Sequence, residues 1–195
     1  MKRSIVLVAA LLMATTSFAA DSPPAMSAEQ QAMMEKMTKA ATPGPQHEML
    51  KKLAGDWNAK VRFQMDPSQP WQESQSTSTV TTLMDGRYSQ EVTSGNMMGQ
   101  PFSGMGITGY DNVLGKFVST WIDNMGTGIM TSQGTMSGKV ITWVGTMSDP
   151  VTGKTTKSRM VTTIVDDDHH TFDMYTVPPG AKKEMKTMTI EYSRK

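Results

Sequence analysis

Apolar and polar positions along the chain change period once, and that change separates a helical leader from a strand-rich remainder. Met33, Met34, Met37 and Ala41 recur at helical intervals and form one apolar stripe. Ser27-Ala28-Glu29-Gln30 precedes them with capping-box spacing, a hydroxyl followed three residues later by Gln. Thr42-Pro43-Gly44-Pro45 stops that helix, because proline cannot continue it and glycine permits the turn. A second short helix is predicted over Gln46 to Leu53, with Met49, Leu50 and Leu53 facing inward and Gly55 ending it. From Trp57 the period is two. Trp57, Ala59, Val61, Phe63 and Met65 alternate with Asn58, Lys60, Arg62 and Gln64, the pattern of a half-buried strand.

Short runs rich in Thr, Val and aromatic residues follow, separated by turn chemistry. The turns fall at Asp85-Gly86, Asp111-Asn112-Val113-Leu114-Gly115, Ser137-Gly138-Lys139, Asp149-Pro150-Val151-Thr152-Gly153, Asp166-Asp167-Asp168-His169 and Pro178-Pro179-Gly180. This punctuation predicts roughly ten strands at intervals of about 8–12 residues, with no helix between them. Parallel neighbours would need long crossovers, so the strands are expected to pair antiparallel as a meander. A meander of this length removes its exposed edges by closing into a barrel, and a two-sheet sandwich is the alternative. The expected fold is all-β: about ten antiparallel strands closed into a barrel, preceded by one or two short N-terminal helices. The expected organisation is a signal peptide over 1–19, a leader with an amphipathic helix over 20–45, and a barrel domain over 46–195.

The first residues add an address. Lys2 and Arg3 precede the apolar run from Ile5 to Ala14, and Thr15-Thr16-Ser17-Phe18-Ala19-Ala20 follows. A positive start, a short apolar stretch and a small-x-small site are what a signal peptidase requires. Ser17 and Ala19 suit the −3 and −1 positions, so cleavage is expected after Ala19, whereas a cut after Ala20 would put bulky Phe18 at −3. A spanning helix needs ~20 apolar residues, more than this run supplies, and the mature chain has no other long apolar run. The expected location is periplasmic or secreted, with no membrane span after signal cleavage.

Composition narrows the chemistry. The chain has no cysteine, which excludes a lipid-attachment cysteine, disulfides, thiol catalysis and Cys-based zinc or iron–sulfur sites. An exported domain without such staples must be held by its core. Taking Lys2 and Arg3 from the 19 basic residues leaves 17 against 18 acidic ones, a formal charge of −1. No basic patch suits a phosphate backbone, so nucleic acid is not an expected partner.

Two resemblances emerge from particular residues. Gly55-Asp56-Trp57, where a short helix runs into Gly-x-Trp on the first strand, pairs with Arg194 near the end of the last strand. This is similar to the calycin signature of lipocalins and their relatives, and it implies that the Trp57 ring closes one end of a barrel while Arg194 packs across its face. Met188, Ile190, Tyr192 and Arg194 share one face by alternation, which permits that contact. A second resemblance covers most of the mature chain. Gly44-Pro45-Gln46-His47, Leu53-Ala54-Gly55-Asp56-Trp57, Met98-Gly99-Gln100-Pro101-Phe102, Gly109-Tyr110-Asp111-Asn112, Val118-Ser119-Thr120-Trp121-Ile122-Asp123-Asn124 and Glu191-Tyr192-Ser193-Arg194 together resemble a bacterial family, domain of unknown function 1579. That family implies a fold and no activity.

The candidate chemistry is sparse. His47, His169 and His170 are the three histidines. His169-His170 follows three aspartates, yet it sits where a hairpin turn is expected, so a solvated turn is favoured over a metal site. Twenty methionines are present. Clusters at Met33, Met34 and Met37 and at Met97-Met98 would suit Cu(I), a soft metal, but helical spacing and the packing adaptability of Met account for the first cluster without one. No metal or cofactor is expected. No Gly-x-Ser-x-Gly elbow occurs; Ser103 lies in Pro-Phe-Ser-Gly-Met, without the first glycine.

Glu91 and Asp123 lie on predicted strands and are each expected to pair with an arginine such as Arg87 or Arg159 rather than act as acid or base. Trp121-Ile122-Asp123-Asn124-Met125-Gly126-Thr127-Gly128 reads either as a binding rim or as a tight connection whose Trp fills the barrel. The leading expectation is a periplasmic barrel that binds a small, partly apolar ligand. Tyr88, Tyr110, Trp121 and Trp143 are its candidate walls, and Asp123 and Arg159 its candidate polar anchors. An enzyme using an internal carboxylate, a hydrolase or isomerase, is the alternative. The second alternative is an envelope interaction protein that docks through the Met face of residues 26–41.

Overall fold

Local sequence rules determine where each element begins. In the computed structural model, which describes residues 26–64, 66–149, 152–177 and 182–195, helix α1 (Ala28–Ala41) opens on the capping box. Gln30 N donates to Ser27 Oγ at 3.2 Å, and Ser27 N donates to Gln30 Oε1 at 2.8 Å. The signal segment, the leader over 21–25, Met65, and the turn residues Pro150, Val151, Pro178, Pro179 and Gly180 lie outside the described residues.

No side chain of α1 is buried. Met33 and Met37 are 61% and 60% exposed, so the stripe that helical spacing marks has no core beneath it. The helix is tied to the rest of the chain near its end, where Asn112 Nδ2 donates to the carbonyls of Ala40 at 3.0 Å and Thr42 at 2.8 Å. The second helix predicted over Gln46 to Leu53 is α2 (Pro45–Lys52). Proline fits its first turn, and His47 Nδ1 caps the backbone by accepting from Gly44 N at 2.9 Å.

Ten strands follow: β1 (Gly55–Phe63), β2 (Gln72–Leu83), β3 (Tyr88–Met97), β4 (Gln100–Asp111), β5 (Lys116–Asp123), β6 (Met130–Ser137), β7 (Val140–Asp149), β8 (Lys154–Ile164), β9 (His169–Thr176) and β10 (Met185–Arg194). Each pairs antiparallel with its sequence neighbour. β1 also pairs with β10 from Trp57↔Arg194 to Phe63↔Met188, which closes the barrel. The expected meander and closure are what the chain adopts. The turns carry the backbone that hairpins demand: Gly99, Gly115, Gly138 and Gly153 have positive φ. The outward positions of β1 and β2, such as Asn58, Lys60, Arg62, Glu73, Gln75 and Thr77, are polar. Among the described residues no helix is long and apolar enough to cross a membrane.

The two ends of the barrel differ. α2 lies across the end where β1 begins, and Leu50 from that helix joins Phe117, Ile141, Trp143 and Met160 in one fully buried cluster. Tyr110 meets Phe117 edge-on at 5.0 Å, and Phe117 meets Trp143 at 5.9 Å. At the same end Trp57 is completely buried, and its Nε1 donates to Leu53 O at 3.0 Å. The Arg194 guanidinium lies over its ring at 4.2 Å. Arg194 also donates to the carbonyls of Ala54 at 2.8 Å, Lys52 at 2.9 Å and Asp167 at 2.8 Å. Carbonyls left unpaired at the end of α2 are thereby satisfied. Gly55 leaves room for this, since a Cβ there would stand 2.5 Å from Arg194 Nη1.

Candidate functional site

Alternation and register define which side chains face the barrel interior, and the two halves of that interior are unlike. On β2 to β4 the inward positions are mostly small: Ser74, Ser76, Ser78, Thr93, Gly95, Gly104 and Gly106. On β9 and β10 they are larger and mainly apolar: Phe172, Met174, Met188 and Ile190. These four are half-buried; Phe172 and Met174 pack against the cluster under α2, and Met188 and Ile190 continue the wall on β10. An eight-stranded barrel is just wide enough for side chains to fill, and ten strands make a wider one. Inner surface stays accessible at the half-buried positions of β9 and β10, while Val61 and Phe63 on neighbouring β1 are buried.

A polar group sits on that inner wall. Glu91 on β3 points inward, and its Oε1 accepts from Ser78 Oγ at 2.5 Å, Thr93 Oγ1 at 3.2 Å and Tyr192 Oη at 3.3 Å. Ser78 Oγ and Thr93 Oγ1 also lie 2.5 Å apart, so the single Thr93 proton is shared between Ser78 and Glu91 as alternative acceptors. Three hydroxyls thus crowd one oxygen of the carboxyl. Tyr192 is buried beside it, and burial first, then the Glu91 charge, pushes its phenol well above the ordinary range. His170 stacks flat on Tyr192, with centroids 4.2 Å apart, and meets Trp57 edge-on at 4.5 Å. Burial, with a smaller contribution from Arg194, lowers the His170 pKa to about 4, so its imidazole is neutral at pH 7. Its Nδ1 is buried without a hydrogen-bond partner among the described residues.

Trp121 forms the neighbouring wall. Glu91, Gly106 and Trp121 are successive partners across β3, β4 and β5, so all three face inward in one row. A Cβ at Gly106 would come 2.8 Å from the indole, and one at Gly104 would collide with it outright. The missing side chains let the ring lie flat on β4. Trp121 Nε1 donates to Asp123 Oδ2 at 2.9 Å, while Asp123 Oδ1 accepts from Met125 N at 3.0 Å and starts the turn out of the strand. Trp121 lies inside the barrel, and Asp123 stands near its α2-distal rim.

The other residues singled out from sequence are placed as follows. Tyr110 and Trp143 face inward but belong to the packed end: Tyr110 meets His47 at 5.9 Å, and Trp143 Nε1 donates to Thr162 Oγ1 at 3.1 Å. Tyr88 lies on the outer face, 39% exposed, packed on Gly109 across the pair; its neighbour Ser89 takes the inward position. Arg159 is also outside. It stacks on Tyr175 at 3.7 Å and pairs with Glu184 at 2.7 Å, because Ser158 and Met160 occupy the inward positions of β8. Arg87 lies near Asp85 at 3.7 Å and donates to Ala41 O. Neither arginine pairs with Glu91 or Asp123, contrary to the expectation for those carboxylates.

The two adjacent histidines part company. His169, the first residue of β9, is exposed and bound to Asp166 of the preceding turn at 2.9 Å, whereas His170 points inward, so the solvated reading applies to one of the pair. Among the described residues no cluster of three or more His, Asp or Glu is arranged to hold a metal ion. A groove of about 540 Å³ on the outer face of β10, β1, β2 and β3 is lined by Asn58, Lys60, Gln75, Thr77 and Glu191 among others. It is polar and open, and it lies on the far side of the sheet from Glu91. Sequence reasoning passed over Ser78, Thr93, His170 and Tyr192 as site residues. Their one local signal was alternation, which places Ser78 on the face of Val80 and Tyr192 on the face of Ile190.

Known proteins resemble this chain mainly in fold. Residues 42–194, well over half of the chain, match the family described as Protein of unknown function (DUF1579). Among solved structures, the crystal structure of Rv2717c from M. tuberculosis is similar at 16% identity and a TM-score of 0.58, covering 79% of this chain and 99% of that one. A redesigned β-barrel is similar at 15% identity and a TM-score of 0.41, covering 75% and 94%. No curated protein matches the chain. The chain belongs to the DUF1579 family.

Proposed function

We propose that this DUF1579 barrel is a periplasmic or secreted binding protein that takes a small, partly apolar ligand into the half of its interior away from α2. The observation that carries the reading is the unequal filling of the barrel. Met188 and Ile190, with Met174 at the edge of the packed cluster, point inward yet stay half-buried, and the inward positions of β2 to β4 are largely serine, threonine and glycine. Apolar surface left accessible inside a wide barrel is surface a ligand can cover, at about 25 cal/mol per Å² buried. Trp121 and Tyr192 supply aromatic walls, and Glu91 and Asp123 supply polar anchors. The address follows from the N-terminal order of charge, apolar run and small residues.

The test is native mass spectrometry of protein recovered from the periplasm, with the intact mass read in the same spectrum. A mature chain beginning at Ala20 and carrying a retained small molecule is the expected result. An unprocessed chain would remove the address. A processed chain that never retains a ligand, and whose thermal transition no small amphiphile shifts, would remove the binding reading.

One observation favours a second reading, a hydrolase or isomerase working through an internal carboxylate. Glu91 is inward and held by neutral hydroxyls, with no arginine against it. A carboxylate so placed has the reach and the water-poor surroundings that acid–base chemistry uses. Turnover that disappears in Glu91→Gln while ligand retention persists would favour the enzyme; retention without turnover of the released ligand would exclude it.

A further inference from the structure

We infer that the ligand of this barrel carries a positive charge, with an ammonium group seated between the Glu91 carboxylate and the indole face of Trp121. The inference rests on the binding reading above and adds the chemical class of the ligand.

Charge inside the barrel is one-sided. The hydroxyls of Ser78, Thr93 and Tyr192 all meet Glu91 on Oε1. No hydrogen-bond donor among the described residues reaches Oε2, and that atom is not among the buried atoms left without a partner, so it keeps access to solvent-reachable space. Among the described residues two cations hold inward positions of the strands, Arg194 beside Trp57 at the closed end and Lys154 at the opposite rim, and none lies between them. Arg194 is spent on Trp57 and the carbonyls of Lys52, Ala54 and Asp167 at the closed end. Lys154 stands at the opposite rim, across from Asp149 in the β7–β8 hairpin. Arg159 and Lys186, the cations nearest in sequence to inward residues of β8 and β10, are engaged outside with Glu184 and Asp173. His170 is neutral. An enclosed carboxylate without a cation is costly, and a charged ligand supplies what the protein does not.

The second half of the seat is aromatic. Trp121 stands one strand beyond Gly106 in the row of Glu91, and its ring lies flat because Gly104 and Gly106 have no side chains. One face of the indole is therefore against β4, and the other is turned to the interior. The bond from Trp121 Nε1 to Asp123 Oδ2 fixes the ring in that orientation and draws electron density toward it. A carboxylate oxygen beside an electron-rich ring face is the arrangement that favours ammonium ions over neutral groups. The alkyl or aryl body of the ligand would then lie along Met174, Met188 and Ile190. A fatty acid would bring its own carboxylate against Glu91 and be repelled.

The experiment compares three probes of equal chain length below their micellar range: octylammonium, octanol and octanoate. Each is titrated into the full-length mature protein by calorimetry, with thermal shift as a second readout. Octylammonium is expected to bind at least tenfold more tightly than octanol or octanoate. Glu91→Gln keeps an acceptor for Ser78 and Tyr192 and is expected to erase that preference while leaving octanol binding within about twofold. Trp121→Leu is expected to weaken octylammonium more than octanol. Circular dichroism of each variant confirms that the barrel is intact. If wild type binds all three probes equally, or prefers octanoate, the charge inference is overturned and the binding reading survives. If none binds to folded wild type, both fall. An unchanged preference in folded Glu91→Gln overturns the assignment of the seat to Glu91.

Discussion

Replacing Arg194 tests how the barrel is closed. The guanidinium stacks on Trp57 at 4.2 Å and donates to three carbonyls, those of Lys52, Ala54 and Asp167, at 2.8 to 2.9 Å. The stack contributes ~0.5–2 kcal/mol. Charged hydrogen bonds contribute about 1.5–3 kcal/mol each when wholly buried. The Arg194 side chain is 26% exposed, and water can reach some of the carbonyls once it is gone, so the bonds count for well under their buried value. Arg194→Ala is therefore expected to cost roughly 3–5 kcal/mol in all. At about 2–4 °C per kcal/mol for a chain of this size, that is a fall in Tm on the order of 10 °C.

Arg194→Lys should recover less than half of the loss, since one ammonium on a flexible stem cannot serve three carbonyls and cover the ring together. The assay is urea unfolding followed by tryptophan fluorescence and far-ultraviolet circular dichroism. A double-mutant cycle with Trp57→Phe isolates the ring contact, expected at ~0.5–2 kcal/mol. A loss below about 1 kcal/mol in Arg194→Ala, or a lysine variant as stable as wild type, would refute the reasoning.

Two further outcomes follow from the same geometry. His170 has a folded pKa of about 4 against 6.5 when free, so the unfolded chain takes up its proton first. The stability this contributes is fully present above pH 6.5 and is lost as the pH falls toward 4, by roughly 3 kcal/mol. Unfolding midpoints between pH 8 and 4 should show that slope in wild type and lose most of it in His170→Phe; an unchanged slope in the variant would count against the buried neutral imidazole. Gly106→Ala would put a methyl 2.8 Å from the Trp121 ring. The ring must then lift off β4, at a cost of about 1–3 kcal/mol and with a shifted fluorescence maximum, and a variant with wild-type emission and stability would contradict the flat packing.

Much of the barrel was legible before any coordinates. The switch to period two at Trp57, the Asp-Gly and Ser-Gly turns, and the absence of helices between strands are short-range properties, and each is written in a few consecutive residues. They lead to ten antiparallel strands and a closed meander, which is what the chain forms. The pairing of Trp57 with Arg194 was also visible, because alternation on β10 puts Arg194 on the face of Ile190 and Tyr192. Arg159 was misplaced although its parity was readable: Met160 claims the inward position beside it. Tyr88 offered no such signal. On β3 the inward face is made of small polar residues, and the aromatic instead finds a glycine to lie on outside.

The interior chemistry was decided only by closure of the sheet. Alternation says which face a residue takes, but not which faces meet. Glu91 and Tyr192 are 101 residues apart and touch because β3 and β10 are separated by only β1 and β2 in the closed barrel. The Trp121 ring lies flat because register, set over many hydrogen bonds, brings two glycines beneath it. His169 and His170 divide between solvent and core by one step of a strand whose start the turn chemistry did not locate. The sequence by itself determined the elements, their order and their polarity, since those depend on neighbours along the chain. Which side chains face one another across the interior, and the one-sided charge they leave there, depend on contacts between distant strands, and those exist only in the folded barrel.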